Sequence, residues 1–373
     1  MNGRERFNAL MNYQPVDRMP VLYFGTWPET KQCWRREGLD VPMADWSNCG
    51  PTLPEMDPDW EGSPDGSEVW NNQGLLDPGP WSARPAEIMA EDDDTRTLRT
   101  PLGGIVQIGK RGSTIPHTIE PDLKPTREDW RRFAGHLDPA DPRRWRKGWE
   151  QRANGLNQRE HMTCFFGGSL FGYLRSWMGV EAVSYLPYDD PGLYEEMIEF
   201  QANYYLELNR PLLQKVSFDV AYIFEDCCFN TGPLLSPDFY RRFYDRYYRK
   251  MIDAYHDMGV PFVLIDSDGK IDDLLPCWLD SGFDIVFPIE VGTWRADAAA
   301  LRRQYGRRLR MMGGVDKHVI PHGEDAIRKE LERLREPARE GGFVPMPDHR
   351  IPPDCSLSQF LSYIKVFKEV FNE

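Results

Sequence analysis

The sequence predicts an α/β protein, a distorted (β/α)8 barrel of the TIM type with an irregular amino-terminal insertion, and three observations predict it. Five apolar runs of β type in the second half end on an acid or a histidine: YIFED, PFVLIDSDG, IVFPIE, RMMGGVD and FVPMPDH. Amphipathic helical stretches alternate with those runs, and the links between them are short and closed by glycine. A length of 373 residues suits one such barrel with insertions. In a parallel barrel the residues at the carboxyl ends of the strands share one mouth. Glu225, Asp266, Asp268, Glu290, Asp316 and His349 are therefore expected to meet there.

The elements follow in order, within a single domain spanning residues 1–373. GRERFNALMN reads as a short amphipathic helix, VLYF as the first strand, and PETKQCWRREG as a helix stopped by Gly38. From about Val41 to Thr100 the chain is crowded with Trp, Pro, Gly and Asp and has little period. GGIVQIGKRGSTIPHTIE then carries a hairpin signal. Residues 41–120 are thus expected to form an irregular insertion with a hairpin, serving as a lid, before helical stretches that run to about Asn157. The most regular part spans 160–373. There TCFFGG precedes the helix of GSLFGYLRSWMG, and SPDFYRRFYDRYYRKMIDAYHDMG is the clearest helix, with Ser236 as cap, Pro237 in the first turn and Gly259 at the end. Its stripe of Phe239, Phe243, Tyr247, Met251 and Tyr255 is a packing face.

Composition excludes several classes. Lys and Arg total 45 against 59 Asp and Glu, a net charge of −14 with no basic stripe, which argues against nucleic acid as a partner. The apolar runs are far shorter than the roughly 20 residues of a membrane span, so no membrane partner is expected and the cytoplasm is the expected location. Seven cysteines without paired spacing suit free thiols in a reducing compartment.

The strand-end residues admit both functional and structural readings. In DSDG, Asp266 and Asp268 lie two apart, able to share a cation or to cap the next helix. Glu290 ends an apolar strand, so its carboxylate needs a metal, a proton or a partner such as Arg350. Glu225 and Asp226 precede the loop CCFNTGP. His349 is a lone imidazole beside Asp348, which is placed to orient it. His318 and His322 read as loop residues, Cys227 and Cys228 as buried thiols, and the glycines of MGGVD as a tight turn.

Several of these segments also carry a resemblance: RERFNALMNYQPVDRMPV, GSLFGYLRSWMGVE, EDCCFNTGPLLSP, DSDGKIDDLL, FPIEVG, GGVDK and GGFVPMPDHRIPPD. Together they resemble the uroporphyrinogen decarboxylase superfamily, and more closely its methyltransferase-like branch of corrinoid-dependent methyltransferases and O-demethylases. The resemblance covers the first twenty residues and most of the chain from about Cys164. It implies a distorted barrel with its site at the carboxyl-terminal mouth. True decarboxylases of the superfamily carry an arginine-rich motif after the first strand, where this chain reads FGTWPETKQCWRREG with only Arg35 and Arg36. The branch binds zinc through a His-x-Cys pair and a later Cys, at positions matched here by Asp266, Asp268 and His349. The expectation is a zinc or other divalent site on Asp266, Asp268 and His349, with Glu225 and Glu290 as catalytic acids and Glu225 the proton donor. A small methyl donor and a corrinoid carried by a partner protein complete it, and a homodimer is compatible with it. Carboxylate and imidazole ligands favour an ether oxygen over a thiol as the substrate ligand. A porphyrinogen-type decarboxylase and a barrel with a purely structural acid cluster are the alternatives.

Overall fold

The computed structural model describes residues 1–39, 74–110 and 116–372. Its centre is a six-stranded sheet of β5 (Cys164–Gly168), β6 (Val220–Phe224), β9 (Phe262–Asp266), β10 (Ile285–Ile289), β11 (Arg310–Val315) and β12 (Phe343–Pro347), in the order β12-β11-β10-β9-β6-β5. Every pairing in it is parallel. Almost every residue of these strands is buried, as expected when helices cover a parallel sheet. Between β6 and β9 a two-residue pair, β7 (Cys228–Phe229) and β8 (Gly232–Pro233), forms a small antiparallel excursion at the mouth.

The expected first strand, VLYF, is buried but joins no ladder. The chain just beyond it docks past β12, where Thr26 bridges Ile351 in parallel and the Ile351 amide donates to the Gly25 carbonyl at 2.8 Å. Gly313 and Gly314 lie within β11 rather than in a turn. A side chain at Gly313 would meet the Ile289 backbone nitrogen at 2.6 Å, so glycine is what lets β10 approach there.

Helix ends follow the sequence closely. Asn2 and Glu5 form a capping box on the helix Gly3–Met11. Ser236 accepts from the Phe239 amide, and Gly259 has φ +88°. The long helix expected there is two, Pro237–Phe243 and Asp245–Asp257, broken at Tyr244. Tyr244 turns inward and its hydroxyl meets that of Tyr194, a tertiary contact that no helical period reports.

The expected insertion is partly regular. β1 (Glu87–Glu91), β2 (Thr95–Arg99), β3 (Ile105–Gly109) and β4 (His117–Glu120) make an antiparallel sheet in that order. The β3–β4 pairing agrees with the hairpin signal, whereas β1 and β2 stand where the sequence reads as irregular. β1 is exposed and β2 mostly half-buried, so no burial alternation marks them. Their turn is held by the Asp92 carboxylate accepting from the Asp94 and Thr95 amides. The part of the expected lid at 40–73 lies outside the described residues. No helix among the described residues is long and apolar enough to cross a membrane, and their six cysteines are free of disulfides.

Candidate metal centre at the barrel mouth

Beyond β9 the chain turns sharply at the mouth. The Ser267 amide donates to the Phe287 carbonyl at 2.9 Å, and Gly269 takes φ +88°. A side chain on Gly269 would meet the Cys228 carbonyl at 2.7 Å, so the turn requires glycine. It carries Asp268 towards Glu290, which follows β10, and His349, which follows β12. The three offer one donor atom each within 4.8 Å of one another. His349 Nε2 stands 3.3 Å from Asp268 Oδ2, and the Gly269 amide donates to Glu290 Oε2 at 2.6 Å. Asp268 Oδ1 is buried and has no hydrogen-bond partner among the described residues. Burial, and then the charge of Asp268, raises the Glu290 carboxyl above its ordinary range.

Aromatic rings set the imidazole. Phe24 meets His349 edge to face at 4.8 Å, and Trp27 lies 5.9 Å away, tilted by 32°. The Arg350 guanidinium sits over the Trp27 ring at 5.3 Å. Asp348, which the sequence suggested as the orienting group, faces elsewhere. Its Oδ2 accepts from the Val291 and Gly292 amides at 2.7 and 2.8 Å, fastening the loop after β10.

The other strand-end residues sort differently from the expectation. Asp266 is the last residue of β9, and its carboxylate accepts from the Tyr222 hydroxyl of the neighbouring strand. It lies outside the group that Asp268, Glu290 and His349 form, and Glu290, expected as a catalytic acid, lies inside it. Glu225 turns away beneath the mouth. Oε1 accepts from the Leu170 amide and the Tyr248 hydroxyl, and Oε2 from the amides of Phe171 and Gly172. It is 2 % exposed, and burial pushes its carboxyl up to about 7 in spite of those bonds. Asp316 caps the turn Lys317–His322 by accepting from the His318 amide. Cys227 and Cys228 are buried.

Asp226 is the residue whose importance the sequence understated. It has φ +40°, and its amide donates to the Asp266 carbonyl at 3.1 Å. Arg175 grips it twice, Nη1 on its carbonyl at 2.7 Å and Nη2 on Oδ2 at 2.5 Å. Burial raises its carboxyl, Arg175 opposes that, and the charges of Asp268 and His349 are felt with opposite signs. The one available signal was the acid pair itself, since consecutive residues leaving a strand face opposite sides. Phe24, Trp27 and Arg175 carried no signal of this kind.

The donor set fits a divalent ion. Two carboxylate oxygens and one imidazole nitrogen make a three-ligand centre with room for further ligands, and the partnerless Asp268 Oδ1 is an atom such an ion would satisfy.

The comparisons with known proteins agree with this architecture. The family model described as Uroporphyrinogen decarboxylase (URO-D) matches residues 155–370. No curated protein matches the chain. Among solved structures, a methyltransferase from Methanosarcina mazei is similar over 99% of both chains, with a TM-score of 0.58 and 15% identity, a likeness of fold. A B12-independent methionine synthase from Shewanella sp. W3-18-1, in complex with selenomethionine, is similar over 61% of this chain and 67% of its own, with a TM-score of 0.41 and 13% identity. With its parallel sheet of covered strands and more than half of its length matched by that family model, the chain belongs to the uroporphyrinogen decarboxylase (URO-D) family.

Proposed function

We propose that this protein is a metal-dependent methyltransferase, moving a methyl group from a small, methoxylated donor to a corrinoid carried by another protein. The observation that carries the reading is the meeting of Asp268, Glu290 and His349 at the mouth, with one carboxylate oxygen buried and unpartnered among the described residues. Zinc is the proposed ion, held by those three side chains rather than by Asp266. When bound, it supplies Lewis acidity towards an ether oxygen, weakening the bond from that oxygen to the methyl carbon.

The chain's own residues do the rest. Phe24 fixes the plane of His349, so the imidazole nitrogen near Asp268 keeps its direction without a carboxylate behind it. The Gly269 amide holds one oxygen of Glu290, which directs that carboxylate. Trp27, half-buried and flanking His349, gives the donor an apolar wall. A cytoplasmic location belongs to the same proposal, in keeping with the free cysteines.

Plasma mass spectrometry of the purified chain tests the reading. About one zinc per chain is expected in the wild type and in Asp266→Ala, with loss in Asp268→Ala, Glu290→Ala and His349→Ala. Metal bound equally in all five proteins would remove the centre, and a metal-free wild type would turn the reading to decarboxylation or to a structural acid cluster.

A further inference from the structure

We infer that Asp226 is the catalytic acid of this mouth, delivering a proton to the oxygen that leaves when the methyl group departs. The inference rests on the methyltransferase reading above and deepens it.

Glu225, the acid that the strand pattern first suggests, has both oxygens taken up by three backbone amides and a tyrosine hydroxyl, and it is closed off from the mouth. Asp226, one residue on, leaves β6 on the other side. Its side chain is 27% exposed. One oxygen is anchored by Arg175, and Oδ1 accepts no hydrogen bond from the described residues. Three ionisable groups act on it: Arg175 from the helix Gly172–Met178, Asp268 from the turn after β9, and His349 from the loop after β12. Asp226 therefore stands beside the proposed centre without belonging to its donor set.

The left-handed backbone supports the assignment. Asp226 has φ +40°, a conformation tolerated by Asp and Asn and costly for most residues. The Arg175 bond to its carbonyl holds the peptide there and so aims the side chain. Burial raises its carboxyl above the ordinary aspartate range against the opposing Arg175, the direction that favours a proton donor.

The step balances. The donor's C–O bond breaks with its electron pair moving to oxygen, the Co(I) lone pair of the corrinoid forms the bond to the methyl carbon, and the proton of Asp226 passes to the departing oxygen. The products are a phenol or alcohol, a methylated corrinoid and the Asp226 carboxylate. That anion forms beside Arg175, which stabilises it.

Leaving-group dependence tests the assignment. Single-turnover methyl transfer to free cob(I)alamin is compared for two methyl aryl ethers, one releasing an ordinary phenol and one a nitrophenol, with wild type and Asp226→Asn. Asn keeps the left-handed backbone and an oxygen for Arg175 but has no acidic proton. The variant is expected to lose on the order of 10²-fold or more with the ordinary ether and less than about tenfold with the nitro ether. Its metal content and melting temperature should equal those of the wild type. An equal loss with both ethers, or none with either, in a variant with normal metal overturns the role of Asp226 alone. A wild type that demethylates neither ether overturns the methyltransferase reading and the inference with it.

Discussion

Asp219 and Asp268 lie at opposite ends of the same sheet, and their surroundings could hardly differ more. Asp219, just before β6, is fully buried, and every acceptor position is filled. Arg4 Nε and Asn8 Nδ2 donate to Oδ1, Arg159 Nη2 and the Thr163 amide to Oδ2, at 2.7–3.3 Å. Asp268, beyond β9, has a long contact with His349 on one oxygen and no partner among the described residues on the other. An acid with all its bonds made stabilises the fold. An acid with bonds left open, beside a second acid whose carboxyl it raises, holds an arrangement suited to something the chain does not itself supply. The contrast follows the general division of labour in such barrels, stability at the amino ends of the strands and chemistry at the carboxyl ends.

The sharpest way to break this comparison is Asp219→Ala. It strands the buried Arg159 guanidinium, so the loss of unfolding free energy is expected to be about 3–5 kcal/mol by chemical denaturation, with metal per folded chain unchanged. A variant as stable as the wild type would mean that the amino end is not held by this cluster. Glu225→Gln probes the boundary between the two ends. Its amide group would face a ring of N–H donors, which is expected to cost about 2–3 kcal/mol while leaving the ratio of rates for good and poor leaving groups unchanged. A changed ratio at normal stability would return the proton to Glu225.

Asp268→Asn should go the other way. Removing one of the facing negative charges is expected to raise the stability of metal-free protein slightly, by about 0.5 kcal/mol, because the group is partly exposed and screened. The same variant should lose its metal, and a clear drop in melting temperature would assign Asp268 to the fold. The smallest expected effect is at His256, again at the amino end, where Nε2 meets Asp284 at 3.2 Å. That hydrogen bond raises the imidazole pKa against the opposing effect of burial. A raised folded value means that the contribution is complete below the ordinary histidine pKa and is lost as pH rises through the higher folded one. Half-exposure limits it to about 0.5 kcal/mol. Melting curves of His256→Gln from pH 6 to 9 should show a flatter decline than the wild type.

Local chemistry was legible wherever one segment suffices. The cap Ser236, the stops Gly38 and Gly259, and the six apolar strands all stand where their patterns place them. Patterns were blind where the partner is remote. The break at Tyr244 depends on Tyr194, and the strands β1, exposed, and β2, mostly half-buried, have no buried face to give them a period.

The sequence by itself determined the class of fold, the strand ends that face the mouth, and His349 and Asp268 as members of one group, because strand period and chain direction are local properties. Only the tertiary structure decided which acids stay open. Asp266 is taken by Tyr222, Glu225 by the chain after β5, and Asp348 by the loop after β10, while Glu290 and Asp226 are left facing the site. A carboxylate's role depends on which donors reach it, and the donors named for these three acids come from segments as much as 57 residues distant in the chain.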